Sequence, residues 1–298
     1  MRIFVAGSSG QVALSLKEAA AKEGICLETF GRPDFDLADA DSVGATVKAF
    51  HPDIIINAAA YTAVDAAETD EAAAFAINAD GPAHLARAAA QLDIPLLHIS
   101  TDYVFDGAKN GPYVETDSTG PTGIYGRSKL KGEQAALEAH NKVAIFRTAW
   151  VYSPFGKNFV KTMLQLAKTR DELGVVADQI GNPTYGPDIA VALLAAAKAM
   201  LASEWKPEFG GIFHLVGTGE ASWHEFAEAI FDAGSCYGHP RPKVKAITTA
   251  DYPTPAKRPA NSRLDCSKLA DTFGIHLPSW EQSTNLCVKR LFESGDLG

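Results

Sequence analysis

Tyr125 and Lys129 are the residues whose types and spacing most directly suggest chemistry. A tyrosine four residues before a lysine on a helix places both side chains on one face, one turn apart. The lysine ammonium is then expected to lower the pKa of the phenol toward neutrality and to ready it for proton transfer. The pattern alone is weak, because chance gives about half a match in a chain of this composition.

A glycine-rich turn follows the predicted N-terminal strand, residues 3–6. Gly7 and Gly10 permit a tight turn and a close approach of the backbone to a pyrophosphate, and the next helix supplies amide donors. We therefore expect Gly7, Gly10, Gln11 and Val12 to bind a dinucleotide cofactor. The alternative is an ordinary strand-to-helix turn.

A polar segment, Ser100-Thr101-Asp102, lies at the carboxyl end of a later predicted strand. Open α/β sheets bind ligands at this edge, so a hydroxyl there can hold a ketone oxygen beside the Tyr125 phenol. The alternative is a helix cap or turn. A dinucleotide loop, a hydroxyl donor and a Tyr/Lys pair, in that order, suggest a hydride-transferring enzyme.

The end of the second predicted strand bears on the choice of cofactor. NAD-selective folds usually have an acid at this position. This chain has Arg32 instead, and an arginine there suits the 2′-phosphate of NADPH. We therefore expect NADPH as the cofactor, with NADH as a second cofactor that the enzyme could also use. The alternative is a solvated surface arginine. Asp36 and Leu37 are weaker candidates for the adenine site. The small residues Ala58, Ala59 and Ala60, after the third long strand, would let the cofactor ribose lie against the chain.

The C-terminal third contains two arginines in a proline-stiffened loop, Arg258 and Arg263. Guanidinium groups bind diphosphate bidentately, so the pair is a candidate phosphate clamp, the alternative being two surface arginines. Trp150 and Trp223 can stack on a sugar or a base, although core packing is the default for tryptophan.

Composition excludes several classes of function. A net charge of -9, a pI near 5.4 and the absence of a basic run argue against a nucleic-acid surface. No apolar run approaches the length of about 18 residues that spans a membrane. Four widely spaced cysteines in no metal-ligand pattern indicate reduced thiols in a cytoplasmic protein without a metal.

Predicted strands alternate with predicted helices along the first two thirds of the chain. This order predicts a Rossmann-type, doubly wound parallel sheet, with a smaller C-terminal α/β substrate domain. We expect the dinucleotide-binding domain at 1–152 plus about 170–219, and the substrate domain at about 153–169 and 220–298. A helical stretch over 66–91 should break near Gly81-Pro82, and short helices are expected after Ser222.

Several motifs together resemble the dTDP-4-dehydrorhamnose reductases, a family of extended short-chain dehydrogenases/reductases. The resemblance extends from residue 1 to about residue 290. The matching segments are Gly7-x-x-Gly10-Gln11-Val12, Asn57-Ala-Ala-Ala-Tyr61-Thr-Ala-Val64-Asp65, Ser100-Thr-Asp-Tyr-Val-Phe105, Tyr125-x-x-x-Lys129, Phe146-Arg-Thr-Ala-Trp150-Val-Tyr152, Asp178-Gln-Ile-Gly-Asn-Pro-Thr184 and Pro253-Thr-Pro-Ala-Lys-Arg258-Pro-x-Asn-Ser-Arg263-Leu264.

This resemblance implies reduction of the C4 ketone of dTDP-4-dehydro-L-rhamnose to dTDP-L-rhamnose, the last step of dTDP-rhamnose biosynthesis. Tyr125 would donate the proton, and Lys129 would tune it and hold the nicotinamide ribose. Thr101 would hydrogen-bond the substrate oxygen, and Asp102 would support the site. The implied substrate contacts also include Val64, Tyr103, Trp150 and, as a diphosphate clamp, Arg258. The nucleotide base and the sugar stereochemistry rest on the resemblance alone.

Oligomeric state is left open as monomer or homodimer. Some members of the family dimerise through a magnesium site with an acid in the first helix, and this chain has Ser15 where that acid is expected.

One alternative function is that of another nucleotide-sugar reductase, epimerase or dehydratase. In dehydratases an Asp-Glu pair follows the threonine, whereas here Thr101 is followed by Asp102 and Tyr103. Another is a non-catalytic NADP-binding subunit, like the regulatory subunit of methionine adenosyltransferase.

Overall fold

A computed structural model describes residues 1–295. The strands are β1 (Arg2–Ala6), β2 (Cys26–Phe30), β3 (Ile54–Asn57), β4 (Leu96–Thr101), β5 (Val143–Thr148), β6 (Val151–Tyr152), β7 (Glu172–Val176), β8 (Ile180–Gly181), β9 (Thr184–Tyr185), β10 (Gly211–His214), β11 (Ala221–Ser222) and β12 (Lys243–Ile247). The helices are α1 (Gln11–Lys22), α2 (Ala40–Phe50), α3 (Val64–Ala67), α4 (Glu71–Phe75), α5 (Gly81–Leu92), α6 (Ile124–Ala139), α7 (Phe159–Ala167), α8 (Gly186–Leu201), α9 (Trp223–Ser235), α10 (Ser267–Phe273) and α11 (Trp280–Ser294).

Six strands form one parallel sheet in the order β10-β5-β4-β3-β1-β2. The strand order reverses at β1, which pairs with both β2 and β3, so the carboxyl ends of β1 and β3 open a crevice there. Every residue of β3 is buried, as expected for a strand covered on both faces. The predicted Rossmann-type parallel sheet is thus confirmed.

Helices cover both faces of this sheet because successive strand residues point to opposite sides. Ile3 and Val5 of β1 pack in the cluster that contains α1 and α8. Phe4, between them, packs in the opposite cluster with residues of α2 and α5. Asp39 begins α2 by accepting hydrogen bonds from the main-chain amides of Asp41 and Ser42.

The C-terminal part has its own core, formed by residues of α7, α9 and α11. β7 pairs with β12 in a separate two-stranded parallel sheet, so residues 172–176 join this part rather than the six-stranded sheet. The predicted domain division stays a prediction, and residues 296–298 of it lie outside the described residues. The prediction of only short helices after Ser222 is wrong, because α9 and α11 have 13 and 15 residues.

The helical stretch before β4 is interrupted beside Gly81, near the predicted position, although the chain stays helical through Gly81 itself. Gly81 has helical dihedral angles, and the irregularity lies just before it, in a π-helical turn at Ala76–Asp80. Asn78 of this turn exchanges hydrogen bonds with the main chain of Tyr61 and donates one to Ser128 on α6. The turn therefore ties the loop after β3 to α6 beside the predicted site.

No helix within residues 1–295 combines the length and the apolar character needed to cross a membrane. The same residues hold no group of three or more His, Cys, Asp or Glu side chains arranged to bind a metal ion.

Candidate functional site

A cleft of about 840 Å³ opens at the carboxyl ends of the central strands. Most of the predicted site residues line it, whereas Trp223, Arg258 and Arg263 do not. The predicted residues that line it are Gly7, Gly10, Gln11, Val12, Arg32, Asp36, Leu37, Ala58, Ala59, Ala60, Val64, Thr101, Asp102, Tyr103, Tyr125, Lys129 and Trp150. The fold thus brings together residues from segments that are far apart in the sequence.

The turn between β1 and α1 forms one wall of the cleft. Gly7 has a φ of 108°, and a Cβ there would lie 3.1 Å from the Ala58 backbone, so a side chain would be strained and crowded. Gly10 begins α1 without a capping side chain, and a Cβ at this position would meet nothing within 4 Å. The first amides of α1 are thus available to an anionic group.

Thr101 and Asp102 lie where β4 ends, opposite the first turn of α6. Thr101 Oγ1 donates a hydrogen bond of 3.0 Å to Asp102 Oδ1 and accepts one of 3.2 Å from the Tyr103 amide. The Thr101 hydroxyl therefore also caps the short 3₁₀ turn that follows. Burial raises the pKa of the Asp102 carboxyl to about 6, partly offset by hydrogen bonds from Ser262 and Thr101.

The Tyr125 phenol lies beside these groups. Its ring meets that of Tyr103 edge to face, with centroids 5.4 Å apart. Burial raises the phenol's pKa above its ordinary value, and a hydrogen bond with Thr101 offsets only part of the rise. The lowered pKa expected from the Tyr/Lys spacing is therefore wrong for this structure, because desolvation dominates. A phenol with a raised pKa remains protonated at neutral pH, as a proton donor requires.

Lys129 lies one turn further along α6 and is 2% exposed. Its Nζ donates a hydrogen bond of 2.7 Å to the main-chain oxygen of Ile99. Burial lowers the pKa of the ammonium to about 8, while the nearby Glu133 carboxylate raises it. The buried His98 has a pKa held well below its usual range by desolvation and by the Lys129 charge.

Arg32 and Asp36 lie at the end of the cleft next to β2. Arg32 Nε is 3.4 Å from Asp36 Oδ2, and 64% of the arginine side chain is exposed. Such an exposed pair is weak, so the guanidinium is free to turn toward an anion.

Trp150 marks the opposite end of the cleft. It has a φ of 49°, and its indole stacks on that of Trp223 with centroids 3.6 Å apart. A Cβ at Gly181 would lie 2.6 Å from the Trp150 ring, so the glycine gives the indole its space. One face of the Trp150 indole packs against Trp223, and the residue also lines the cleft. Trp150 therefore combines core packing with a position from which it can stack on a ligand.

Arg258 does not line the cleft. Its Nη2 donates a hydrogen bond of 2.7 Å to Asp65 Oδ2, next to Val64. Arg263 is not placed as a phosphate clamp, because Asn261, Glu220 and the main-chain oxygen of Asn110 take up its guanidinium. Asn261 is a local partner of Arg263, but Glu220 and Asn110 are distant in the chain, so no local pattern predicted them.

Several cleft residues escaped the sequence-based prediction. Thr148 ends β5 as Thr101 ends β4, and the rule used for Thr101 would have found it. Gly156 and Lys157 lie in the loop before α7 and carry no recognisable signal. Gln11 lines the cleft, but its side-chain oxygen accepts hydrogen bonds from Ser153 and Asn158, so it also anchors this loop.

Ser15 lies on α1 at the position considered for a metal-binding acid. It is 2% exposed, and its hydroxyl donates a hydrogen bond to the main-chain oxygen of Gln11. This position therefore presents neither an acid nor a free oxygen to the surface.

The chain matches the sequence model of the family described as RmlD substrate binding domain over residues 1–293. A Sinorhizobium fredii protein named dTDP-4-dehydrorhamnose reductase is 53% identical over 295 residues, covering 99% of each chain. The chain belongs to the dTDP-4-dehydrorhamnose reductase family. The crystal structure of a reductase of this name from Clostridium acetobutylicum has a TM-score of 0.90 and 36% identity, with 98% of this chain and 100% of that chain covered.

A Bacillus anthracis dTDP-4-dehydrorhamnose reductase, solved in complex with NADP, has a TM-score of 0.87 and 37% identity and covers 98% of this chain and 99% of that one. The cleft of this protein fits a dinucleotide such as NADP. Its glycine turn offers uncapped amides, and Ser100 Oγ and Thr148 Oγ1 are buried in the cleft wall. Neither hydroxyl has a hydrogen-bond partner within residues 1–295, so both are available to polar groups of a ligand.

Proposed function

We propose that the protein reduces the C4 ketone of dTDP-4-dehydro-L-rhamnose to dTDP-L-rhamnose with NADPH. The observation that carries this proposal is the single cleft lined by the glycine turn, Thr101, Tyr125 and Lys129, in a chain 53% identical to a reductase of that name. The glycine turn, Arg32 and residues 58–60 would hold the dinucleotide. When bound, NADPH supplies the hydride.

The chain's own residues would manage the oxygen of the ketone. The Tyr125 phenol would donate a hydrogen bond to that oxygen, and the Thr101 hydroxyl would join it by turning its proton away from Asp102 Oδ1. Both donors would stabilise negative charge as it develops on the oxygen. Tyr125 would then transfer its proton to the oxygen. Lys129, fixed by the Ile99 carbonyl, would place a positive charge behind the phenol and bind the nicotinamide ribose.

The other end of the substrate would lie among Val64, Tyr103 and Trp150, which border the cleft. Arg258 stays a predicted contact for the diphosphate. Asp65 holds one edge of its guanidinium, while Nη1 is buried without a hydrogen-bond partner in the described residues. A buried guanidinium donor without a partner is costly, so an anion that reaches it gains a strong contact.

The direct test is turnover with enzymatically generated dTDP-4-dehydrorhamnose, followed as loss of NADPH absorbance. We expect saturable oxidation of NADPH that depends on the sugar nucleotide. Absence of turnover despite NADPH binding would contradict the proposal. Stoichiometric NAD in the purified protein would favour a dehydratase or epimerase, and stable association with a synthetase without ketone reduction would favour a regulatory subunit.

Arg32→Ala is expected to raise the KM for NADPH about tenfold and to leave the KM for NADH unchanged, because it removes a charge-assisted contact with the 2′-phosphate. Steady-state kinetics with each cofactor measures both values. Arg87→Ala is the matched control, since Arg87 is exposed on α5 and lies outside the cleft. An equal loss with both cofactors would assign Arg32 another role.

A further inference from the structure

Glu133 and Arg147 form an ion pair in the interior, below the cleft. Arg147 Nε lies 2.9 Å from Glu133 Oε1, Arg147 Nη2 lies 2.6 Å from Glu133 Oε2, and both side chains are 2% exposed. Among the ion pairs of residues 1–295, this is the one with both partners fully buried. Removing two charges from water is costly, so such a pair is not explained by stability alone.

The pair lies on the functional face of α6. Tyr125, Lys129 and Glu133 follow one another at intervals of four residues, which places them along one face of the helix. Lys129 contacts the main chain of Ile99 on β4, and Glu133 contacts Arg147 on the neighbouring β5. Two consecutive turns of α6 are thus attached to two adjacent strands. These attachments fix the distance between α6 and the sheet, and with it the position of Tyr125.

The charges around Lys129 also point to Glu133. His98 faces the ammonium from β4, and Arg147 lies beyond Glu133 on β5. Asp102 and Tyr103 follow β4 in the turn that packs against α6. Of these neighbours, Glu133 is the carboxylate that raises the pKa of Lys129 against the effect of burial.

We propose that Glu133, held in place by Arg147, is a positioning residue that supplies the counter-charge for Lys129 and fixes the face of α6 that carries Tyr125. The part of this inference that concerns catalysis rests on the proposed function. The counter-charge itself is a property of the folded chain and is tested separately.

Three variants separate this role from simple packing. Glu133→Gln removes the charge and keeps the shape. The apolar pair Glu133→Leu/Arg147→Met removes both charges, and such replacements often retain stability where single changes do not. Glu138→Gln is the control, because it removes a carboxylate from an exposed position on the same helix.

The primary measurement is the pH titration of the Lys129 ¹⁵Nζ resonance, assigned with Lys129→Met. Loss of a nearby negative charge disfavours the ammonium, so the midpoint should fall by about one pH unit in Glu133→Gln. The fall should be smaller in the apolar pair, because this variant also removes the positive charge of Arg147. Glu138→Gln should leave the midpoint in place. The alkaline limb of kcat/KM should move to lower pH by a similar amount, because Lys129 loses its charge earlier as pH rises.

An unshifted Lys129 midpoint in folded Glu133→Gln would overturn the role proposed for Glu133. A shifted midpoint with an unshifted alkaline limb would overturn the link to catalysis. Absence of turnover in the unmodified protein would instead contradict the proposed function, and the resonance titration would still decide whether Glu133 supplies the counter-charge.

Discussion

Tyr125→Phe is expected to lower kcat by roughly two to four orders of magnitude and to leave NADPH affinity nearly unchanged. The substitution removes a single oxygen from a half-buried ring that packs against Tyr103, so the cleft keeps its shape. It removes the proton donor for the substrate oxygen and leaves Thr101 as the neighbouring hydroxyl. Steady-state kinetics gives kcat, and fluorescence titration gives the affinity for NADPH.

Tyr252→Phe is the matched control for that experiment. Tyr252 is 63% exposed and lies outside the cleft, so the same loss of one hydroxyl should leave kcat unchanged. Turnover retained in Tyr125→Phe would contradict the proton-transfer role. A large loss of NADPH affinity would instead assign the phenol mainly to cofactor binding.

Gly132→Ala is expected to destabilise the protein by about 3 kcal/mol, toward the upper end of the usual cost of overpacking. A Cβ at this position on α6 would lie 1.9 Å from the main-chain oxygen of Asn78, in the π-helical turn. Main-chain oxygen cannot move aside as the end of a flexible side chain can, so the helix and the turn must separate. Urea unfolding monitored by circular dichroism measures the change.

Gly44→Ala is the control for Gly132→Ala. Gly44 also lies inside a helix, but a Cβ there would meet nothing within 4 Å. Alanine should therefore stabilise the protein by roughly 0.5–1 kcal/mol, the ordinary preference over glycine within a helix. Equal effects of the two substitutions would show that close contact between α6 and the turn is not what requires Gly132.

The sequence was sufficient for the central sheet and for most of the cleft. Strands such as β3 are continuous apolar runs, and polar residues such as Thr101 follow directly where parallel strands end. These signals are local in the chain. The residues that follow them meet at one edge because a parallel sheet brings its carboxyl ends together.

The remaining features depend on contacts that no local pattern encodes. The pairing of β7 with β12 joins segments that are far apart in the chain, in a small sheet that the sequence did not predict. The partner of Arg258, Asp65, is equally distant in sequence. Spacing placed Tyr125 beside Lys129, but only the depth of burial determines that the phenol's pKa rises rather than falls.

The stacked indoles of Trp150 and Trp223 give the protein an optical signature of its own. Two indoles with centroids 3.6 Å apart couple their electronic transitions strongly, and the coupling is optically active where the transition moments in the two ring planes cross at an angle. One of the two indoles borders the cleft. Circular dichroism should therefore contain an exciton couplet that disappears in Trp223→Phe. Because a ligand that contacts Trp150 perturbs one partner of the pair, this couplet allows occupancy of the cleft to be followed without any label.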